Sequence, residues 1–548
     1  MKIKNNFTEN VMRRTFIVNV LQMMILFFLF SFRAESTIYQ STFPQRLNHF
    51  DTHSNIFFNQ TYLSNFSPNS TLKSPSLIIY LGGRSPISSD IFNSTALKSL
   101  ASQTDAKIIA LEHRFFGSSF PTDGVTDDNL KYLIIQQVLA DIDHFLEFVQ
   151  RRFCPVGGCN IGLVGASYAG SLAAWSRVRY PHLSVGSWSS SSPLKFVTEF
   201  PEYDAFVASY LNKVKNGCLN STQVIFNEIE NIILNGDEEA KSDLKKKFGI
   251  EINQTISTKN ESDDVSFLYV IAEVLSLPIE KPSHSELLQK HCSVVTNSTL
   301  NYGIDSFSEI FKEILKTYEM KISDFDPYQY RNDVNLKSKL WLQCNQFGWF
   351  KTSSGKLRSK MIDLNFFNDV CLDTFSINIS DSSITNEDFG GIDPYLSNAV
   401  FTNSEEDPYS VLSVKTGENV MGRFAYSIED AGASSDIFSF TNTNETLGAK
   451  LISVQKNCIS RMRQWILKEC EKKCYQGTCV LSKCVCIDMW DGEFCDRRTH
   501  TGTAYTYISA FCILVPTILL LFFGSFVWFC GNKEETEIGN SRRSFFTN

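Results

Sequence analysis

The sequence lacks an excess of positive charge, and it has no histidine between His291 and His500. It carries 51 Lys and Arg against 59 Asp and Glu, a net charge of -8 with both signs mixed along the chain. This balance gives no reason to expect a nucleic acid as partner. The few histidines limit where an imidazole base could act. They are His49, His53, His113, His144, His182, His284, His291 and His500.

Charged residues are absent from two apolar segments, one near each end of the chain. The run 506–530 has 25 residues without a charge, which exceeds the ~20 needed to cross a hydrocarbon core. It predicts a transmembrane helix, followed by a cytoplasmic tail at 531–548. Basic residues precede the apolar stretch 15–32, so 1–36 is interpreted as a signal peptide, with an uncleaved anchor as the alternative. We expect a single-pass type I membrane protein at the cell surface or in endosomes or lysosomes.

Asparagine sequons support a lumenal or extracellular location for the region between these segments, because glycosylation acts on exposed loops of secreted chains. The predicted glycosylation sites are Asn59, Asn65, Asn69, Asn93, Asn220, Asn253, Asn260, Asn297, Asn378 and Asn444. The chain is rich in asparagine, so chance matches to the sequon pattern are an alternative explanation for several of them.

Six cysteines lie within 470–495 at the spacing C-x3-C-x4-C-x4-C-x-C-x8-C, and no histidine accompanies them. The missing histidine argues against a zinc site, and a segment this short needs disulfides to hold it together. The spacing resembles an EGF-like module at 469–496, followed by a stalk at 497–505. The resemblance implies three bridges: Cys470–Cys479, Cys474–Cys484 and Cys486–Cys495. Seven further cysteines lie upstream, so at least one is free or paired outside that set.

A candidate nucleophile lies in the segment 160–180. The short apolar run 160–164 predicts a strand, Gly165-Ala-Ser-Tyr-Ala-Gly170 follows it, and a helix is predicted after that. A nucleophile elbow needs a strand, a sharp turn and a helix, with the serine in the turn, so Ser167 is the candidate and the Tyr168 N–H is a candidate oxyanion donor. The motif is imperfect because Ala169 stands in place of glycine, and a plain turn with an incidental serine is the alternative.

Further segments resemble, in order, the lysosomal Pro-Xaa carboxypeptidase and dipeptidyl peptidase II family of serine exopeptidases. The similarity extends from about Phe43 to Trp465. Its motifs are Phe43-Pro-Gln-Arg-Leu-Asn-His-Phe50, Tyr80-Leu-Gly-Gly83, Leu111-Glu-His-Arg-Phe-Phe-Gly117, Trp341-Leu-Gln-Cys-Asn-Gln-Phe-Gly348, Cys371-Leu-Asp373 and Asp407-Pro408.

The resemblance implies an α/β fold: an α/β-hydrolase core at 37–192 and 390–468, interrupted by a mainly helical insert at 193–389 that caps the active site. The helical spacing of apolar residues within the insert agrees with this. The resemblance also implies bridges Cys218–Cys292 and Cys344–Cys371. Cys154 with Cys159 could close a local loop, which would leave Cys458 unpaired. A homodimer through the core is one further arrangement, and no cofactor or metal is expected.

The expected catalytic triad is incomplete. In α/β-hydrolases the order is Ser, Asp, His, and Ser167 and Asp407 fit the first two positions. The resemblance places the histidine about twenty-five residues after the aspartate, where this chain has Ser434. His113 and His182 are the alternatives for a base, and both are expected to have other roles.

Other positions also differ from the family motifs, and these differences likewise indicate relaxed selection on catalysis. Arg84 replaces a glutamate of the Gly-Gly-Glu-Gly-Pro motif, beside the oxyanion loop that contains Gly83. The resemblance implies that Trp341, Gln346 and Tyr409 belong to the substrate pocket, and the last two differ from the family residues.

Three hypotheses follow. The leading one is a catalytically impaired pseudoenzyme that binds peptides or a protein partner. The second is an active membrane-bound serine exopeptidase, a Pro-Xaa carboxypeptidase or dipeptidyl peptidase, with an unrecognised base. The third is an adhesion or structural surface protein that acts through the EGF-like module.

Overall fold

The computed structural model describes residues 37–72, 76–122, 124–154, 158–250, 260–280, 286–297, 303–383, 385–415, 422–429, 431–438, 445–467, 476–480, 483–487, 489–492, 495 and 497–499. The predicted signal peptide, transmembrane helix and cytoplasmic tail lie outside these residues. Within them, no helix is both long and apolar enough to span a bilayer. The chain divides into two compact units, Met1–Met462 and Arg463–Asn548.

The first unit is organised around an eight-stranded sheet. The strands of this unit are β1 (Tyr39–Arg46), β2 (Phe57–Ser64), β3 (Ser76–Leu81), β4 (Lys107–Leu111), β5 (Asn160–Ala166), β6 (Gly186–Ser190), β7 (Val197–Glu199), β8 (Gly348–Phe350), β9 (Ala399–Ser404) and β10 (Arg423–Ile428). The order in the large sheet is β1-β2-β4-β3-β5-β6-β9-β10. β1 pairs antiparallel with β2 and β2 with β4, while the remaining pairs are parallel. This mixed sheet has the α/β-hydrolase arrangement.

The central strands are buried along their whole length because helices cover both faces of a parallel sheet. Every residue of β3 is buried, and so is every residue of β6 and β9. The loops after β3, β5, β6, β9 and β10 all leave the same edge of the sheet, since these strands run parallel. Ligand sites in open α/β sheets lie at this carboxyl edge.

The helices of the first unit fall into two groups along the chain. Those near the sheet strands in sequence are α1 (Thr95–Thr104), α2 (Asp127–Leu130), α3 (Ile135–Phe153) and α4 (Tyr168–Arg179). α4 packs against β5 and β6, and α3 packs against α4 and β1. The amphipathic pattern of α3 explains this position, because its apolar face, which includes Phe145 and Val149, is fully buried.

A mainly helical segment separates β6 from β9. Its helices are α5 (Pro201–Val214), α6 (Cys218–Asn235), α7 (Glu238–Lys247), α8 (Asn260–Glu280), α9 (Glu286–Val295), α10 (Ile304–Thr317), α11 (Val334–Leu342), α12 (Leu364–Phe375) and α13 (Thr385–Phe389). Short 3-10 helices cover Ile322–Asp324 and Gln329–Asn332, and a π-helical turn covers Gln343–Phe347. The parallel pair β7 and β8 brings the start of this segment beside residues 348–350. We call the segment 193–389 the cap.

Three disulfides lie in the first unit. Cys218–Cys292 and Cys344–Cys371 both lie within the cap, and Cys154–Cys159 closes a short loop after α3. Cys458 is buried and free. It lies in α15 (Glu445–Ile466), which follows the short helix α14 (Ser435–Phe438).

The second unit has short strands. They are β11 (Gly477–Val480), β12 (Lys483–Cys486), β13 (Trp490–Asp491) and β14 (Arg497–Arg498). β11 and β12 form an antiparallel pair in which Cys479 is opposite Cys484. The predicted bridge Cys486–Cys495 is present. Cys470 and Cys474 lie outside the described residues.

The sequon asparagines lie mostly at the surface. Among the sequon asparagines whose side chains are described, Asn65 is half-buried. Its side-chain oxygen accepts a hydrogen bond from the Ile108 N–H at 3.0 Å. The exposed ones are Asn59, Asn69, Asn93, Asn220, Asn297 and Asn378. Asn253, Asn444 and the side chain of Asn260 lie outside the described part.

Candidate active site

Ser167 lies in the turn between β5 and α4. Its φ of 53° and ψ of -130° are unusual for a residue with a side chain, and its side chain is exposed. The Ser167 N–H donates to the Ser190 carbonyl at 2.8 Å, which ties the turn to the end of β6. The geometry is that of a strand, a sharp turn and a helix, as a nucleophile elbow requires.

Two glycines, Gly165 and Gly170, allow β5 and α4 to pack closely on either side of the Ser167 turn. A Cβ on Gly165 would lie 2.1 Å from the Ala169 carbonyl oxygen, and one on Gly170 would lie 2.0 Å from Ser192 Oγ. Both distances are far below van der Waals contact. The glycines at these two positions are therefore required by packing, and the turn that holds Ser167 depends on them.

The candidate oxyanion donors lie next to each other. Tyr168 is the first residue of α4, where backbone N–H groups have no partner inside the helix. Gly83 follows β3, and a Cβ placed on it would be 3.7 Å from the Ala169 Cβ, so its backbone lies beside the first turn of α4. This arrangement could direct two N–H groups at one oxygen atom.

Asp407 follows β9 and lines the same cavity as Ser167. Its carboxylate is buried and accepts a hydrogen bond from the Tyr409 N–H at 2.9 Å. Burial raises the pKa of Asp407 to about 7. A carboxylate that orients an imidazolium would instead have its charged form stabilised.

Ala433, rather than Ser434, lies on the cavity wall together with Ser167 and Asp407. Ser434 is buried, its N–H donates to Ser191 Oγ at 2.8 Å, and its hydroxyl is directed at the Ser190 carbonyl at 3.5 Å. Ser434, the position that the resemblance gives to histidine, stays a prediction: it adjoins Ala433, and the Ser190 carbonyl that it approaches also accepts from the Ser167 N–H.

Backbone geometry and one buried carboxylate fix the chain around Ser434. Ser434 has a φ of 58°, which turns the chain just before α14. Asp436 then accepts hydrogen bonds from three side chains of β6 and β9. The donors are Trp188 Nε1 at 2.9 Å, Ser190 Oγ at 2.5 Å and Thr402 Oγ1 at 2.6 Å.

No histidine in the described part of the chain lines this cavity. His113 is buried, its ring nitrogens contact the Arg114 carbonyl at 2.6 Å and the Tyr168 hydroxyl at 3.3 Å, and burial lowers its pKa to about 4. His182 is exposed beyond the far end of α4. Neither contacts Ser167. His284 and His500 lie outside the described residues.

The cap supplies a buried network of charges to the cavity, which has a volume of about 220 Å³. Lys351 Nζ lies 2.8 Å from Glu273 and 2.7 Å from Glu280, and Arg358 lies 2.5 Å from Glu273. Burial alone raises the pKa of Glu280, but the Lys351 ammonium and the hydrogen bonds from Lys351 and Tyr203 outweigh it and bring the pKa to about 2. Arg358 also lies 3.9 Å from Asp204, so three carboxylates share two cations.

Two further cations, Arg84 and Lys339, line the cavity. The Arg84 guanidinium carbon lies 5.4 to 5.8 Å from the ring centres of Tyr168, Phe347 and Trp349. Burial, together with the charges of Arg84 and Lys351, lowers the pKa of Lys339 to about 8.

The three pocket residues suggested by the resemblance occupy different places. Tyr409 lines the cavity, and burial raises its pKa to about 12. Trp341 and Gln346 do not line it: Trp341 Nε1 donates to the Leu133 carbonyl at 3.0 Å, and Gln346 Oε1 accepts from the Ile135 N–H at 3.0 Å. Gln346 therefore provides a hydrogen-bond acceptor for a backbone N–H at the start of α3. The side chain of the N-cap residue of this helix makes no capping hydrogen bond.

The sequence alone did not predict a role for Glu273, Glu280, Lys339 and Lys351. One signal was available, because Glu273 and Glu280 are the only charged residues of the apolar stretch 265–280 and are seven positions apart, on one helix face. Isolated acids in a buried helix need partners. In the described part of the chain, no group of three or more His, Cys, Asp or Glu side chains is placed to hold a metal ion.

Several known proteins are similar to this chain. The Caenorhabditis elegans protein "Putative serine protease F56F10.1" is 28% identical over 412 residues, which cover 68% of this chain and 74% of the relative. The "Thymus-specific serine protease" of Mus musculus is 26% identical over 406 residues, with coverage of 68% and 78%. Among solved structures, esterase E22 aligns with 78% of this chain and 100% of its own, at 13% identity and a TM-score of 0.37.

The family "Serine carboxypeptidase S28" matches residues 45–452 of this sequence. The matched region begins in β1, includes Ser167, Asp407 and the whole cap, and ends in α15. The chain belongs to the serine carboxypeptidase S28 family of serine peptidases.

Proposed function

We propose that this protein is a catalytically impaired member of its family that binds peptides or a protein partner in the cavity beside Ser167. The observation that carries the proposal is Ala433, a residue with no proton-transfer group, on the cavity wall shared by Ser167 and Asp407. A serine nucleophile needs a base to accept its proton, and an imidazole normally does this.

The size of the expected defect supports impairment rather than a modest loss. In subtilisin, removal of the catalytic histidine lowers kcat by about 2 × 10⁶, which corresponds to roughly 8 to 9 kcal/mol of transition-state stabilisation. The residual rate comes from the oxyanion hole and from substrate binding. Tyr168 and Gly83 could still supply the oxyanion hole. The cavity would therefore retain affinity for a peptide while turnover is nearly lost.

A second candidate function, an active serine exopeptidase, is favoured by one observation. Lys339 lines the cavity that contains Ser167, and its pKa of about 8 lies below the ordinary value for lysine. Neutral lysine serves as the base in some serine hydrolases. At pH ~7 only about a tenth of Lys339 would be neutral, so this base would act mainly above neutral pH.

The test uses a fluorophosphonate probe, which reacts with activated serines, on the purified full-length chain. We expect wild type to label no faster than Ser167→Ala. Ala433→His should raise the labelling rate, because the imidazole would enter the cavity between Ser167 and Asp407. Ser434→His tests the position that the resemblance gives to histidine; its side chain is directed at the Ser190 carbonyl, which also accepts from the Ser167 N–H, so it should raise the rate in part.

Rapid labelling of wild type that is abolished by Ser167→Ala would refute impairment. In that case Lys339→Gln separates the remaining explanations. Loss of labelling in this variant, together with a rate that increases between about pH 7 and 9, would identify Lys339 as the base. Unchanged labelling would place the base elsewhere.

We also propose a type I membrane topology, with the EGF-like module between the peptidase-related domain and a membrane helix at 506–530. The charge-free run and the exposed sequon asparagines support it. Protease treatment of intact cells should leave only the tail from Gly531 onward protected, and the protected fragment should carry no glycan. A full-length chain that is protected and unglycosylated would contradict this topology.

A further inference from the structure

Three aromatic side chains near Ser167 surround one arginine of the same chain. The Arg84 guanidinium carbon lies 5.8 Å from the ring centre of Tyr168, 5.4 Å from that of Phe347 and 5.8 Å from that of Trp349. A guanidinium within about 6 Å of a ring centre is attracted to the face of that ring. One cation therefore contacts three rings at once, and we call these three rings the aromatic box.

Contacts that do not involve Arg84 hold the rings of the box in place. Phe347 and Trp349 are stacked with their ring centres 4.2 Å apart, and the ring centres of Tyr168 and Phe347 are 5.5 Å apart. Trp349 Nε1 donates a hydrogen bond to the Lys195 carbonyl at 2.9 Å. Tyr168 is also fixed by its place at the start of α4. The box should therefore keep its shape when Arg84 is replaced.

Arg84 separates the box from the cavity. Its side chain lines the cavity together with Ser167, whereas none of the three rings lines it. Tyr168 and Trp349 are each 1% exposed, and Phe347 is fully buried. The guanidinium therefore covers ring faces that would otherwise form part of the cavity wall.

Attraction to the rings, rather than an ion pair, holds Arg84 at this position. Among the described residues, no carboxylate oxygen lies within 4.0 Å of an Arg84 nitrogen, because the carboxylates of the cap network pair with Lys351 and Arg358 instead. Burial lowers the pKa of the Arg84 guanidinium, which indicates that it has lost part of its hydration. A cation is attracted more strongly to an aromatic face when it is desolvated.

We propose that Arg84 is a specificity-determining residue of this cavity: its side chain occupies the aromatic box and excludes ligand groups that carry a ring or a planar cation. The inference rests on the proposed function in one respect, that the cavity is a binding site. With Arg84 in place the cavity measures about 220 Å³, and removal of the side chain beyond Cβ would extend it to the three rings. The wild-type cavity would accept only ligands whose group at this position is small.

Titration calorimetry on the full-length Ser167→Ala chain tests the proposal, because this parent protein cannot cleave a ligand through Ser167. The probes are methylguanidinium, which reproduces the end of an arginine side chain, and N-acetyl-phenylalaninamide, which carries a neutral ring. Arg84→Ala in this parent should bind each probe at least about tenfold more tightly than the parent does, a difference of about 1.4 kcal/mol. N-acetyl-glycinamide, which has no ring, is the matched probe, and its binding should not change.

Three variants of the same parent separate the box from indirect effects. Phe347→Leu added to Arg84→Ala keeps the space apolar but removes one ring face, so it should lose most of the gain for methylguanidinium. Arg84→Lys places a narrower cation beside the rings, so its affinity for both probes should lie between those of the parent and Arg84→Ala. Arg152→Ala is the control, because Arg152 is exposed and lies 5.5 Å from the ring centre of Phe153; its replacement should create no site.

A parent protein that binds N-acetyl-phenylalaninamide as tightly as Arg84→Ala would overturn the proposal, because the ring would then bind without displacing Arg84. Failure of a folded Arg84→Ala chain to bind either probe would also overturn it. If urea denaturation shows that Arg84→Ala is unfolded, Arg84→Lys decides, and affinities equal to those of the parent have the same meaning. None of these measurements depends on the labelling of Ser167, so the failure of this inference and the failure of the proposed function can be told apart.

Discussion

Replacement of Asp407 by asparagine should change how the stability of the protein depends on pH. The carboxylate is 3% exposed, and burial raises its pKa from 3.8 to about 7. Each pKa unit corresponds to about 1.4 kcal/mol, so ionising Asp407 in the folded protein is about 4 kcal/mol less favourable than in the unfolded chain. Asparagine has the same shape, cannot ionise, and can still accept the hydrogen bond from the Tyr409 N–H.

The direction of the effect follows from proton binding. Between about pH 4 and 7 the folded state holds a proton on Asp407 that the unfolded state has released. The free energy of unfolding contributed by this group therefore falls as the pH rises through that range, and the loss is complete above about pH 7. Below about pH 4 both states are protonated, so wild type and Asp407→Asn should have similar stability there.

Urea denaturation of the full-length chain, followed by fluorescence of the buried tryptophans, measures this difference. At pH 4 the two proteins should differ little, and at pH 8 Asp407→Asn should be more stable by about 4 kcal/mol. Asp369→Asn is the matched control, because Asp369 is exposed on α12 and its replacement should have an effect within about 0.5 kcal/mol at every pH.

The opposite result would refute the reasoning. A carboxylate paired with a cationic base stabilises the fold as the pH rises, so Asp407→Asn would then be the less stable protein at pH 8. Such a result would mean that Asp407 has a partner at this site, and it would favour the active-enzyme hypothesis.

Three further predictions concern the fold. Cys292→Ser removes a disulfide between residues 74 positions apart and should lower the free energy of unfolding by about 4 kcal/mol. Cys154→Ser removes a disulfide between residues only 5 positions apart and should lower it by about 2 kcal/mol. Urea denaturation measures both losses. Arg114→Met removes the guanidinium from the buried carboxylate of Asp141, which keeps only the His49 ring at 2.8 Å, and should lower the free energy of unfolding by about 3 to 5 kcal/mol; a loss below 1 kcal/mol would contradict the pairing. Gly165→Ala should strongly reduce the yield of folded protein, whereas Gly448→Ala, with its nearest neighbour at 3.7 Å, should express normally.

The sequence predicts the nucleophile elbow at Ser167, but it does not predict which charges line the cavity. The turn at Ser167 is a local feature, because an apolar run, closely spaced small residues and a following helix are adjacent in the chain. The surroundings of Ser434 are not local in this sense, since the orientation of that loop depends on Asp436 contacting β6 and β9. The charges of the cap come from α8, α11 and the segment after β8, and only folding brings them together at Lys351.

Retention of a strained Ser167 does not by itself indicate catalysis. A residue with a side chain at a φ of 53° is held in a conformation that costs about 1 to 3 kcal/mol. In this protein the same turn also allows α4 to pack on β5 through Gly165 and Gly170, and it is tied to β6 by the Ser190 carbonyl. These contacts hold the turn whether or not a base is present. Proton transfer needs a group beside the Ser167 hydroxyl, so the question of catalysis rests on Ala433 and Lys339 rather than on the conformation of the serine.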